Sequence, residues 1–165
     1  MRVLQDPENL SAGSMLTSVI YYDQKGRPIQ TQSENISGGT DFSIIHYDFS
    51  GKVLNSYVVQ NNPHSTNPVV KVRTNMTYDH AGRLLDVFKT INDESNKKAL
   101  IVLDTYDEMG QLKKKELGKK RDLNGSYPSC PVETLDYNYN IRGWLKGINA
   151  AYSHPELTSG MSPDR

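Results

Sequence analysis

The sequence has little that supports cross-linking, membrane insertion or electrostatic binding. Its single cysteine, Cys130, excludes an intramolecular disulfide. No apolar run approaches the roughly 18 residues of a membrane span, and the opening MRVLQDPENL lacks the apolar core of an export signal. Lys and Arg together number 19, as do Asp and Glu, so there is no net charge to attract nucleic acid or an anionic membrane. We therefore predict no membrane span and no nucleic-acid partner.

Motifs for catalysis and metal binding are also missing. The sequence contains no G-x-S-x-G, no H-E-x-x-H, no Gly-rich phosphate loop and no C-x-x-C. The histidines are far apart in the chain, at His46, His64, His80 and His154. Exposed or strand-lining positions explain them better than metal ligation does. We expect no catalytic residue, no metal and no cofactor, and hence no enzyme.

What the sequence does contain is a short pattern, seen in TYDHAGRLLDV at residues 77–87. Asp79 suits the first position of a type I turn, where its carboxylate can accept the N–H two residues on, and Gly82 suits the left-handed position that closes the loop. Strand-forming residues on both sides predict a β-hairpin with a short, bulged loop. The pattern occurs five times, at Tyr22, Asp23, Gly26; Tyr47, Asp48, Gly51; Tyr78, Asp79, Gly82; Tyr106, Asp107, Gly110; and Tyr139, Asn140, Gly143.

The residues around each copy keep their chemistry. Apolar residues stand two positions after every glycine, at Pro28, Val53, Leu84, Leu112 and Leu145. Two positions before the tyrosines stand Ile20, Ile45, Met76, Asp104 and Tyr137. Alternation along a strand puts each of these on the same face as its tyrosine. We expect one buried face per hairpin, interrupted at Asp104.

The repeated motif resembles the RHS/YD repeat, a family named after Tyr-Asp followed by Gly and Arg. TYDHAGRLL is close to the family pattern, and YYDQKGRPIQTQS, YDFSGKVL and YNIRGWL resemble phrases of large secreted or cell-surface bacterial RHS proteins. The likeness covers residues 17–149. Arg27 and Arg83 match the motif arginine, whereas Lys52, Gln111 and Trp144 depart from it.

The resemblance implies a structural role. RHS/YD repeats roll a long antiparallel strip into a hollow shell around a variable, toxin-like C-terminal domain. The partners would be the remaining repeats and that cargo domain, and the location would be secreted or at the cell surface. The autoproteolytic core region that follows the repeats in such proteins is not recognisable here, so no catalytic residue is carried over.

We predict an all-β fold, an antiparallel meander of consecutive YD-repeat β-hairpins forming a curved, open sheet that is part of an RHS-type shell. About ten strands would be too few to close it. Residues 1–16 form a lead-in in which DPENL could begin a short helix, 17–149 form the repeat sheet, and 150–165 form a Ser/Pro-rich tail. Because that tail ends without a turn or closing strand, we expect the chain to be truncated.

Two features allow alternative functions. The run KKKELGKKR at 113–121 is either a site for acidic ligands or a solvated, charged strand, and we favour the strand. Trp144 is either a sugar platform or a residue packed on the sheet, and we favour packing. A surface carbohydrate-binding module, with a glycan as partner, is therefore the second functional hypothesis. It requires exposed, coplanar rings, whereas a shell wall would bury the motif tyrosines between strands.

Overall fold

The computed structural model describes residues 2–4, 15–120 and 131–150. The predicted helix start at 6–10, the single cysteine and the tail from residue 151 onward lie outside these residues. The strand that leads to the first motif begins at Met15, two residues before the predicted boundary, and residues 2–4 of the lead-in also form a strand.

The described residues form eleven strands and one turn of 3-10 helix. The strands are β1 (Arg2–Leu4), β2 (Met15–Tyr22), β3 (Pro28–Glu34), β4 (Thr40–Tyr47), β5 (Val53–Asn61), β6 (Val69–Tyr78), β7 (Leu84–Ile91), β8 (Lys98–Tyr106), β9 (Leu112–Lys120), β10 (Glu133–Tyr139) and β11 (Leu145–Ile148), with the 3-10 turn at Ser95–Lys97. They belong to one open sheet whose order follows the chain from β1 to β11. The predicted all-β meander of hairpins is confirmed.

The chain divides into two compact units. The first comprises residues 1–77 and 88–99, and the second comprises 78–87 and 100–165. In the first unit β2 pairs antiparallel with β3, and Ile20 lies opposite Thr31. In the second unit β9 pairs antiparallel with β10, and Lys115 lies opposite Leu135.

The hairpins carry the predicted bulge. The register shifts at the motif tyrosine in the three hairpins Tyr22–Pro28, Tyr47–Val53 and Tyr139–Leu145. An extra residue at this point lets a three-residue loop close on a right-twisted strand pair. The bulge therefore follows from the turn chemistry of the motif.

The expectation of one buried face per hairpin is wrong. Among the described residues, Leu100 is the one buried apolar residue, with 7% of its surface exposed. Ile20, two positions before the first motif tyrosine, is 44% exposed. A sheet buries a face fully only against a second layer, and the apolar residues of these hairpins are half-buried instead. Strand pairing and contacts at the turns must therefore contribute much of the stability.

Candidate functional site

The five repeat turns share one backbone geometry. The glycine N–H donates to the carbonyl of the motif Asp or Asn over 2.9–3.2 Å, and the N–H of that Asp or Asn donates to the carbonyl of the residue after the glycine. The glycine φ angles are positive, between 77° and 99°, at Gly26, Gly51, Gly82, Gly110 and Gly143. The predicted left-handed position is confirmed in every copy.

The side chain of the motif Asp or Asn caps each turn. Its Oδ1 accepts the backbone N–H of the residue after the glycine over 2.8–2.9 Å, at Arg27, Lys52, Arg83, Gln111 and Trp144. Oδ1 of Asp23 also accepts the N–H of Lys25, two residues on, as predicted. Asn140 makes the same bonds as the aspartates, since its amide oxygen is an equivalent acceptor.

Nearby donors lower the pKa of two of the turn carboxylates, Asp23 and Asp79. The backbone N–H of Arg27, followed by its guanidinium at 2.7 Å, holds the pKa of Asp23 below its ordinary value. Arg83 does the same for the pKa of Asp79, with its guanidinium at 2.6 Å. Within the described part of the chain, no three His, Cys, Asp or Glu residues are grouped so as to hold a metal ion. These carboxylates therefore have a turn-capping role that needs no ligand.

The motif tyrosines connect consecutive repeats. The hydroxyl of Tyr47 donates to the carbonyl of Pro28 at 3.0 Å, that of Tyr106 to Leu84 at 2.9 Å, and that of Tyr139 to Leu112 at 3.0 Å. Each acceptor stands two positions after the glycine of the preceding repeat. We call Tyr47, Tyr106, Tyr139 and these three carbonyls the tyrosine ladder. It ties the end of the first strand of one hairpin to the beginning of the return strand of the previous hairpin.

The motif arginine reinforces two steps of the ladder. The guanidinium carbon of Arg27 lies 4.7 Å from the centroid of the Tyr47 ring, and that of Arg83 lies 4.6 Å from the Tyr106 ring. A guanidinium over an aromatic face is attracted by the ring quadrupole. Each arginine therefore caps its own turn and covers the tyrosine of the next repeat.

The glycines also leave room for the preceding repeat. A Cβ on Gly110 would lie 2.6 Å from Nη1 of Arg83, and one on Gly143 would lie 2.7 Å from Nε2 of Gln111. At Gly26, the first in the series, a Cβ would meet nothing within 4 Å. A glycine in the later repeats thus allows both a positive φ and a close approach.

A sixth turn of the same kind was missed from the sequence. Between β3 and β4, the N–H of Gly38 donates to the Asn35 carbonyl at 3.1 Å, and Gly38 has a φ of 79°. Oδ1 of Asn35 accepts the N–H of Gly39 at 3.0 Å. The Asx-x-x-Gly spacing was the available signal, but no tyrosine precedes this asparagine. The turn therefore forms without belonging to the ladder.

Asparagines in left-handed backbone fasten two other strand ends. Asn92, with φ 54°, donates its N–H to the Lys71 carbonyl at 2.8 Å and accepts the Lys71 N–H on Oδ1 at 2.9 Å. Asn149, with φ 51°, likewise donates its N–H to the Asp136 carbonyl at 2.8 Å and accepts the Asp136 N–H on Oδ1 at 2.7 Å. Composition alone does not predict these paired hydrogen bonds, because each pair joins residues that are distant in the chain.

Two lysines of the basic run pair with a glutamate of the same strand. Glu116 accepts Nζ of Lys114 at 2.9 Å and Nζ of Lys119 at 2.5 Å. Bonding to Lys119 and then to Lys114 lowers the pKa of Glu116. Two of the six cations of the run are therefore engaged within the strand, as the charged-strand interpretation predicts.

Asp104 stands two positions before its motif tyrosine, where the first three repeats carry an apolar residue. Its side chain is 5% exposed and its Oδ1 lies 3.5 Å from Nζ of Lys115, without a hydrogen bond of good geometry. Burial raises the pKa of Asp104, and Lys115 partly opposes that shift. In the first repeat the corresponding positions hold Ile20 opposite Thr31. The pair is therefore a polar insertion in a site that elsewhere takes an apolar side chain.

The prediction that Trp144 packs on the sheet is wrong. Trp144 is 66% exposed, and the guanidinium carbon of Arg142 lies 5.9 Å from its ring. It occupies the position that holds arginine in the first and third repeats. At those positions the side chain covers the tyrosine of a following repeat, and after β11 no further strand follows in the described sheet.

No protein-family model matches the chain, and no curated protein matches it. In the described residues, no helix is long and apolar enough to cross a membrane.

Proposed function

We propose that this chain is a structural segment of an RHS/YD-type secreted or cell-surface protein. It contributes wall to a β-shell that encloses a toxin-like C-terminal domain outside these residues, and it performs no catalysis itself. Its partners are the remaining repeats of a longer parent chain and the enclosed cargo. The shell and the cargo are inferred from the resemblance of the five motifs to RHS/YD repeats. The structural role is supported by the geometry of the motifs.

The tyrosine ladder is the observation that carries this proposal. Tyr47, Tyr106 and Tyr139 are half-buried, and each hydroxyl is bonded to backbone of the preceding repeat. Two of the rings are also covered by arginine. Side chains used in this way stabilise the packing of neighbouring repeats, which is how repeat proteins gain stability. They are poorly placed to serve as sugar platforms.

A carbohydrate-binding module is the second candidate. It is supported by aromatic side chains outside the ladder, namely Trp144 at 66%, Tyr22 at 58% and Tyr21 at 48% exposure. Exposed aromatic rings are the usual platforms for sugars and other flat apolar faces. Binding to a glycan array that is lost in Trp144→Ala would favour this module over the shell.

The size and location of the native protein test the proposal. An antibody raised against residues 17–149 should detect, in the organism that makes the chain, a polypeptide several times longer than 165 residues. That polypeptide should lie in the medium or on intact cells, and its C-terminal domain should resist added protease until the repeats are denatured. An intracellular protein of 165 residues would overturn the proposal.

A further inference from the structure

The first motif tyrosine lacks the covering that the ladder tyrosines have. Tyr22 is 58% exposed. Within the described residues its hydroxyl makes no hydrogen bond and no guanidinium covers its ring, in contrast to Tyr47 and Tyr106. Among the described residues, it therefore presents an unused donor and an unused ring face at the first step of the ladder.

In the described sheet, the strand that carries Tyr22 has an edge that is only partly paired. β1 pairs with β2 only from Met15 to Thr17, so that in the described sheet Val19–Tyr22 pair with β3 alone. The four side chains are 43–58% exposed. A strand with unpaired backbone and exposed apolar side chains is a template for another strand. We call Val19–Tyr22 the head edge.

The last strand has the complementary features. β11 ends the sheet order and pairs with β10. Leu145 and Ile148 are 52% and 47% exposed. Leu145 stands two positions after Gly143, the place whose carbonyl accepts a tyrosine hydroxyl in the earlier repeats. We call Trp144–Ile148 the tail edge.

We propose that the tail edge of one copy of this chain binds the head edge of a second copy, continuing the meander head to tail. The direction agrees, because the strand after β11 would run antiparallel to it, as β4 runs to β3. The Tyr22 hydroxyl of the second copy donates to the Leu145 carbonyl, and Trp144 takes the arginine's place over the Tyr22 ring. This inference rests on the ladder and concerns the chain of residues 1–165 by itself, because the neighbouring repeats of a longer parent chain would occupy the same two edges.

The register of the contact follows from the joint between the first two repeats. There Gln30, four positions after Gly26, lies opposite Ile44, three positions before Tyr47. The same offsets place Gly147 opposite Val19 of the second copy and Lys146 opposite Ile20. Because the head edge differs from the tail edge, the contact is heterologous and leaves an open edge at each end of the assembly.

Complementation between two edge variants tests the proposal. Lysine on an exposed strand edge opposes pairing, so Val19→Lys blocks the head edge and Leu145→Lys blocks the tail edge. In sedimentation velocity the unmodified chain should grow beyond a dimer with increasing concentration, and each variant alone should remain monomeric. An equimolar mixture should form a dimer of twice the monomer mass, since each variant keeps the edge that the other lacks.

The controls separate this contact from other association. Ile36→Lys changes a 74% exposed residue at a turn away from both edges, and it should assemble like the unmodified chain. With Cys130 replaced by serine, Ile20→Cys mixed with Lys146→Cys should form an interchain disulfide, and Tyr21→Cys mixed with Lys146→Cys should not, because adjacent residues face opposite sides of a sheet. A monomeric unmodified chain, continued association of Leu145→Lys alone, or a mixture that stays monomeric would each overturn the proposal.

Discussion

Removing one hydroxyl tests whether the ladder stabilises the fold. In Tyr106→Phe the ring stays under Arg83, and only the 2.9 Å bond to the Leu84 carbonyl is lost. A hydrogen bond of this kind contributes about 1 kcal/mol to the free energy of unfolding. For a chain of this size, that loss lowers Tm by about 2–4 °C. Tyr22→Phe is the matched control, because in the described residues the Tyr22 hydroxyl has no bond to lose.

Urea denaturation followed by circular dichroism measures both variants, at concentrations where the chain is monomeric. The denaturation midpoint should fall for Tyr106→Phe and stay unchanged for Tyr22→Phe, with equal slopes, so that the change reports stability and not altered compactness. Equal loss in the two variants, or no loss at Tyr106, would refute the conclusion that the ladder hydroxyls bind repeats together.

Three further predictions concern the turns and the buried ion pair. Gly110→Ala should lower Tm more than Gly26→Ala, because the two share a left-handed φ but only the former displaces Arg83. Asp104→Ile combined with Lys115→Thr should raise the free energy of unfolding by about 1 kcal/mol or more, since apolar replacement of a buried ion pair is often stabilising. The turn aspartates with lowered pKa stabilise the fold above their unfolded pKa of about 4. Tm should therefore fall as the pH drops below that value. Asp104 acts at higher pH, because its raised pKa makes its protonation stabilise the fold while the pH falls toward about 4.

The turns were predictable because their determinants are local. Asp79 and Gly82 form their turn within five residues of chain, so spacing and residue type were sufficient. The same rule would have found the turn from Asn35 to Gly38, had a preceding tyrosine not been required. The bulge at the motif tyrosine follows from the same local geometry.

The contacts between repeats were not predictable in detail. The Tyr106 hydroxyl donates to a carbonyl 22 residues earlier in the chain. Which carbonyl lies within its reach depends on the register in which neighbouring hairpins pair. The apolar residues two positions before the motif tyrosines predicted a buried face. Their spacing shows only that they share a face of the sheet with the tyrosines, and it does not show that another layer covers that face. Trp144 is exposed for a different reason, since no strand follows β11 in the described sheet.

A double-mutant cycle between Arg83 and Tyr106 measures the contact between repeats most directly. The variants are Arg83→Gln, which retains a donor as Gln111 does in the next repeat, Tyr106→Leu, and the two combined. Residues in contact give a coupling energy that separate residues do not, and a guanidinium 4.6 Å from a ring centroid should give about 0.5–1 kcal/mol. A coupling energy of zero would contradict the conclusion that the motif arginine and tyrosine hold successive repeats together.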